Sequence, residues 1–144
     1  MTFVDKEDVL GVGTCKNVFV SVSQKSGDTR YWITFRLASE FLPAEFEFQL
    51  DNLEYLTAIL EFLDTHIGTD QEGSYTCAAT SDSRIRISKE PEALDRFSFF
   101  LSAPGVIVTQ VFGGVSSASL LKALVVAVGE VSSGKHTSES GPRD

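Results

Sequence analysis

The chain has 144 residues, with 20 acidic and 12 basic side chains and a formal net charge of −8. That length suits one domain burying about 68–70% of its unfolded surface, and an ordinary apolar content excludes a disordered acidic tail. The charge is uneven: residues 1–72 hold five Lys/Arg against thirteen Asp/Glu, while residues 73–144 hold seven of each.

The opening, Asp5 to Asp8, is charged and reads either as a first helical turn or as an N-terminal arm. It lacks the basic and apolar regions of a signal peptide. Gly11-Val12-Gly13 then breaks any helix. Two glycines so spaced begin a dinucleotide fingerprint, but no third glycine follows at the required spacing and no clear strand precedes them, so nucleotide binding is not expected. From Asn17 to Ser23 the chain alternates, with Val18, Val20 and Val22 on one face. After the turn Gln24 to Asp28, Tyr31 to Leu37 alternates again, which predicts a β-hairpin. Tyr31, Ile33, Phe35 and Leu37 share one face of it; Trp32, Thr34 and Arg36 share the other. That leaves Trp32 either an exposed anchor or a residue packed beneath a helix.

Pro43 precedes a third strand, Ala44 to Leu50, with Phe46, Phe48 and Leu50 inward and Glu45, Glu47 and Gln49 toward water. A helix follows. Asp51 is its expected cap, Glu54 the reciprocal partner in a capping box, and Leu50 a staple to Tyr55. Leu53, Leu56, Ile59, Leu60, Leu63 and Ile67 recur at three-and-four spacing, and Gly68 ends the helix. Further strands are expected at Tyr75 to Thr80, Arg84 to Ser88, Phe97 to Leu101 and Val106 to Phe112. Ile85 and Ile87 turn inward, and Arg84 and Arg86 outward, with Lys89 and Arg96 extending the basic pair. Ser116 or Ser117 caps a last helix whose inward face is Leu120, Leu121, Leu124, Val125, Val128 and Val131.

These elements predict an α+β fold: one domain over residues 1–131, with a mostly antiparallel sheet of about seven strands and two helices on one face. Residues 132–144 are rich in Ser, Gly and Pro and read as a disordered tail. Element order is compatible with a duplication of the two halves, but nothing in the residues beyond that order supports one. No apolar run approaches the roughly 20 residues that span a bilayer. Cys15 and Cys77 lack metal-ligand spacing and read as reduced thiols of a cytoplasmic protein.

No catalytic motif is present. His66 falls in the last turn of the first helix, where a cation suits the helix dipole, and His136 lies in the tail. There is no nucleophile elbow, phosphate loop or His-x-x-x-His pair. The segment after Asp64 lacks the alternating oxygen ligands of a calcium loop. Glu45 and Glu47 share a solvent face, which lacks the buried setting that paired carboxylates need for acid/base work. No enzyme activity, cofactor, metal, membrane or direct nucleic-acid partner is expected; the scattered cations do not make a basic footprint.

Charge is the informative feature. From Leu37 to Ser83 there are ten acidic residues and no Lys or Arg. On the first helix Glu54, Glu61 and Asp64 fall at spacings that form one stripe opposite the leucines, and Glu45, Glu47 and Asp51 lead into it. These six residues are the expected partner-binding set, against the plainer reading of a solvated face. A field of one sign attracts cationic surfaces and repels polyanions.

The run Tyr31-Trp32-Ile33-Thr34-Phe35-Arg36, then Phe41-Leu42-Pro43-Ala44-Glu45-Phe46-Glu47-Phe48, then the capped helix to Ile67-Gly68 resembles immunity proteins of bacterial polymorphic-toxin systems, particularly the WapI-type families. The likeness spans roughly residues 17–131 and departs at the valine- and alanine-rich last helix. It implies a small, acidic, cytoplasmic inhibitor that binds a cognate basic toxin, with the six acidic residues facing it. Two other classes share the size and charge: a phage anti-defence inhibitor mimicking a polyanion, and an acidic secretion chaperone. The chaperone class expects a strong N-terminal helix that this chain lacks.

Overall fold

A computed structural model describes residues 7–25, 29–38, 44–89, 95–113 and 115–133. The turn residues 26–28, Pro43, Pro91, Glu92 and residues 134–144 lie outside the described residues, while Ser132 and Ser133, expected to begin the tail, are instead the last residues of the final helix. The elements run β1 (Glu7–Cys15), β2 (Val18–Lys25), β3 (Tyr31–Leu37), β4 (Ala44–Leu50), α1 (Glu54–His66), β5 (Gly73–Thr80), β6 (Ser83–Lys89), β7 (Phe97–Ala103), β8 (Val106–Phe112) and α2 (Val115–Ser133). Each half is therefore four strands and a helix. The α+β class holds, but the single seven-stranded sheet does not: β1–β4 and β5–β8 form two separate antiparallel meanders of four strands each.

The uncounted strand is β1. Its two glycines hide the alternation, yet Gly11 pairs with Val22 and Gly13 with Val20, on the buried face of the first sheet. Glycine stands there because α2 crosses above. A β-carbon on Gly13 would overlap the Ala123 carbonyl, and one on Gly11 the Ala127 carbonyl. Removing both side chains lets the helix backbone sit directly on the strand. The seam on the helix side is Ala123 and Ala127, both fully buried. Val125, expected inward, is instead 50% exposed.

The remaining strands follow their alternation. Val18, Val20, Val22, Ile33, Phe35, Phe46, Phe48 and Leu50 are buried on one face of the first sheet. Ile85, Ile87, Phe97, Phe99 and Phe112 are buried on one face of the second. Phe35 joins the two: its ring meets Phe48 edge-on at 5.4 Å, Phe99 at 5.6 Å and Phe112 at 6.2 Å. Such pairs add about 0.5–1.5 kcal/mol each beyond the area they bury.

The helices are crossed over between the halves. α1 leaves the first sheet and packs on the second, where Phe62 meets Phe97 at 6.1 Å and Tyr75 at 6.5 Å. α2 leaves the second sheet and packs chiefly on β1 and β2. The two helices also touch. They do not share one face of one sheet, as the sequence suggested. Residues 116–133 of α2 are long and apolar enough to cross a membrane by length and composition, a test that the core helix of a soluble protein also passes.

Both helix starts differ from expectation. Asp51 makes no capping bond to α1, and its backbone N–H donates instead to the Ala79 carbonyl of β5 at 2.9 Å. Asn52 caps the helix, its Oδ1 accepting from Glu54 N–H at 2.8 Å. Ser116 lies inside the first turn of α2, its hydroxyl donating to Gly113 O at 3.1 Å. Gly68 follows α1 with φ +76°, the left-handed conformation expected of a terminating glycine.

Candidate functional site

The six acidic residues arise from two elements and the bend between them. Glu45 and Glu47 alternate outward on β4, while Phe46 and Phe48 enter the core. Asp51 lies exposed in the bend, and Glu54, Glu61 and Asp64 are exposed on α1. On that helix Leu56, Ile59, Phe62 and Leu63 are buried, so the acidic stripe occupies the opposite side. All six are at the surface. They are not one patch: the β4 pair lies on the outer face of the first sheet, whereas the α1 stripe lies on a helix packed against the second.

Their electrostatic environments differ as well. Glu45 pairs with Arg36 directly across the ladder at 3.6 Å, and both side chains are about half exposed. An exposed pair of that kind contributes about 0–1 kcal/mol. Among the described residues, no cationic side chain pairs with Glu47, Asp51, Glu54, Glu61 or Asp64. Glu54, Glu61 and Asp64 on α1 thus form an acidic stripe that no described cation pairs with.

Sequence reasoning missed a cleft of about 280 Å³ between the sheets. Arg30, Trp32, Glu47 and Gln49 line it from the first sheet, and Asp82 and Ser83 from the second. Trp32 and Gln49 are paired across the ladder, as are Thr34 and Glu47, so one outer face presents both. Trp32 thus lies under no helix. It is half-buried in this cleft, with Lys25 Nζ 3.8 Å above its ring and its indole N–H buried without a partner among the described residues. Alternation shows that Trp32 and Glu47 face outward. No sequence signal shows that the β5–β6 turn bearing Asp82 comes to meet them.

The basic residues also separate. Arg84 and Arg86 project from β6 as expected, Arg86 lying over the Phe100 ring at 5.5 Å. Lys89 does not extend them. It continues the inward series of Ile85 and Ile87, is 2% exposed, and donates from Nζ to the carbonyls of Thr69 at 2.5 Å and Gln71 at 2.9 Å. It is a buried clamp on the α1–β5 loop.

His66 closes α1 as the helix-end reading predicts. Its ring stacks on Phe62 at 4.3 Å, and Nδ1 lies 3.0 Å from Phe62 O. Gly73 leaves it room, since a β-carbon there would approach Nε2 to 2.6 Å. Both cysteines are free. Burial raises the Cys77 thiol pKa, the direction opposite to thiol activation. Its neighbour Tyr75 is pushed up to about 12, first by burial and then by Cys77. Among the described residues, no group of three or more His, Cys, Asp or Glu side chains could hold a metal ion.

The described surface thus holds an acidic helix face without a cationic partner and a polar cleft lined in part by Trp32. Comparison with protein families, curated proteins and solved structures found no match to the chain.

Proposed function

We propose that this protein works by binding, using its acidic surface to engage a cationic protein and block it, as an immunity protein blocks a basic toxin. The observation that carries this reading is the exposed stripe of Glu54, Glu61 and Asp64, uncompensated by any described cation. Mixed signs are the usual condition of an exposed helix, since i,i+4 opposite charges stabilise it and like charges cost a few tenths of a kcal/mol each. An unmixed stripe concentrates field at one place and accelerates encounter with a basic surface. Glu47 and Asp82, converging beside Trp32, supply a second acidic contact with an aromatic anchor.

The test begins with capture of partners from the native host by the tagged chain. Association is then measured at two ionic strengths, for the native chain and for Glu61→Lys with Asp64→Lys. Both positions are exposed, so circular dichroism should be unchanged. Association should slow steeply with salt in the native chain, and slow at low salt in the double variant. Normal association of the lysine variant would reduce the stripe to a solvated face.

A further inference from the structure

Two four-stranded sheets have four outermost strands, and three of these edges are covered. β4 and β5 abut, with Asp51 N–H donating to Ala79 O at 2.9 Å. β1 lies under α2, is bulged between Val9 and Gly11, and has its Val12 N–H taken by Glu130 Oε1 at 3.0 Å. Among the described residues, the fourth edge, β8, has none of these protections. It pairs with β7 in unbroken register, and its sequence Val-Ile-Val-Thr-Gln-Val-Phe has no charge and no proline. Natural edges are ordinarily blunted by charge, proline, bulges or a covering element.

The side chains of β8 are as unprotected as its backbone. Val106, Ile107, Val108 and Val111 are 52%, 76%, 39% and 40% exposed. Apart from Val9, the remaining large exposed apolar residues among those described are Val125 and Val126 on α2, which touches β8. No charged residue occurs between Phe97 and Leu121, in a chain of net charge −8. Two copies could meet at this edge without opposing like charges, which the acidic surface does not permit.

We infer that β8 pairs with β8 of a second copy, antiparallel about a two-fold axis at Thr109, joining the two second sheets into one of eight strands. The strand is self-complementary about that residue. Ile107 falls opposite Val111 of the second copy on the outer face, and Val106 opposite its Phe112 on the inner face. Thr109 meets its own equivalent. β-Branched and threonine cross-strand pairs of this kind stabilise antiparallel ladders. The phase fits too: β7 and β8 are joined by the two-residue turn Pro104-Gly105, with Gly105 at φ +78° and Ala103 partnered with Val106. A tight turn of this kind makes Ala103 and Val106 a hydrogen-bonded pair, so Val106, Val108, Gln110 and Phe112 bond to β7 and alternation places the free N–H and C=O groups at Ile107, Thr109 and Val111. Those residues are the ones the two-fold axis pairs. An isologous contact of this form closes at two copies and leaves no further edge. It is independent of the function proposed above.

Sedimentation of the full chain at micromolar concentration should give twice the chain mass. Ile107→Lys with Val111→Lys sets like charges opposite each other twice, and should give a folded monomer. Ile107→Lys with Val111→Glu sets opposite charges across the same two pairs and should restore the dimer. Only the Thr109-centred register predicts that rescue. Thr109→Cys, its Cα atoms about 5.5 Å apart across a hydrogen-bonded pair, should crosslink to a covalent dimer under mild oxidation where the native chain does not. This variant decides the matter if the lysine variant does not fold. A monomeric native chain, whether β8 stands free or takes an extended peptide, would overturn the inference. So would a dimer that survives both lysines, or failure of Thr109→Cys to crosslink.

Discussion

Gly13 of β1 lies so close beneath the Ala123 carbonyl of α2 that no β-carbon fits between them. This contact joins the two ends of the chain. The obstacle is backbone, which cannot rotate away as a side-chain tip can. Gly13→Ala should therefore lower stability by about 3 kcal/mol, at the upper end of the usual cost of overpacking. Urea denaturation monitored by circular dichroism measures it, and an unchanged midpoint would show that α2 does not seat on β1.

Gly129, two residues beyond Ala127 on the same helix, is the internal control. Nothing lies within 4 Å of a β-carbon there, and its backbone is helical. Gly129→Ala should raise stability by about 0.5–1 kcal/mol through helix propensity alone. The two substitutions are chemically identical and should move the midpoint in opposite directions.

Burial, and not position along α1, should sort the effect of charge. Ile59 is wholly buried, Leu60 only half, and Glu61 exposed. Ile59→Asp buries an unpaired carboxylate and should unfold the protein. Leu60→Asp should be milder, because its side chain can turn toward water, and Glu61→Lys should be nearly silent. Thermal melts of the three should rank in that order.

Lys89 should prove structural despite its charge. Lys89→Met keeps the aliphatic stem but leaves the Thr69 and Gln71 carbonyls without their donor. The expected loss is about 1.5–3 kcal/mol, the range for hydrogen bonds to a charged group. Hydrogen exchange should rise in residues 69–73 before it rises in the β-strands. Uniform protection in the variant would argue against the clamp.

Alkaline pH should destabilise the fold. The Tyr75 hydroxyl is raised from 10.0 to about 12, and the Cys77 thiol is raised by burial. Both folded pKa values lie above their unfolded ones, so the native state holds protons that the unfolded chain releases. Their contribution is complete below about pH 9 and is lost as pH rises toward about 12. Denaturant midpoints from pH 8 upward should fall, and Tyr75→Phe should flatten the decline above pH 10. In thiol labelling of the native protein, half-buried Cys15 should react well before buried Cys77.

By itself the sequence determined every element whose period is carried by large side chains. β3, β4 and β8 begin and end where alternation placed them, and α1 buries Leu56, Ile59 and Leu63 of the expected stripe while half-burying Leu53, Leu60 and Ile67, because those patterns report burial residue by residue. It also determined that Glu45, Glu47, Asp51, Glu54, Glu61 and Asp64 face water. Smallness concealed the rest. β1 was illegible because glycine carries no hydropathy signal, and the α2 seam because alanine carries little. Only the tertiary structure decided that the sheet is split in two, that each helix packs on the sheet it does not follow, and that Lys89 points inward to clamp a loop. It also brought Asp82 to Trp32 and left β8 as the one edge that no described element covers. These are choices between long-range pairings, and local periodicity is the same whichever strand or helix lies alongside.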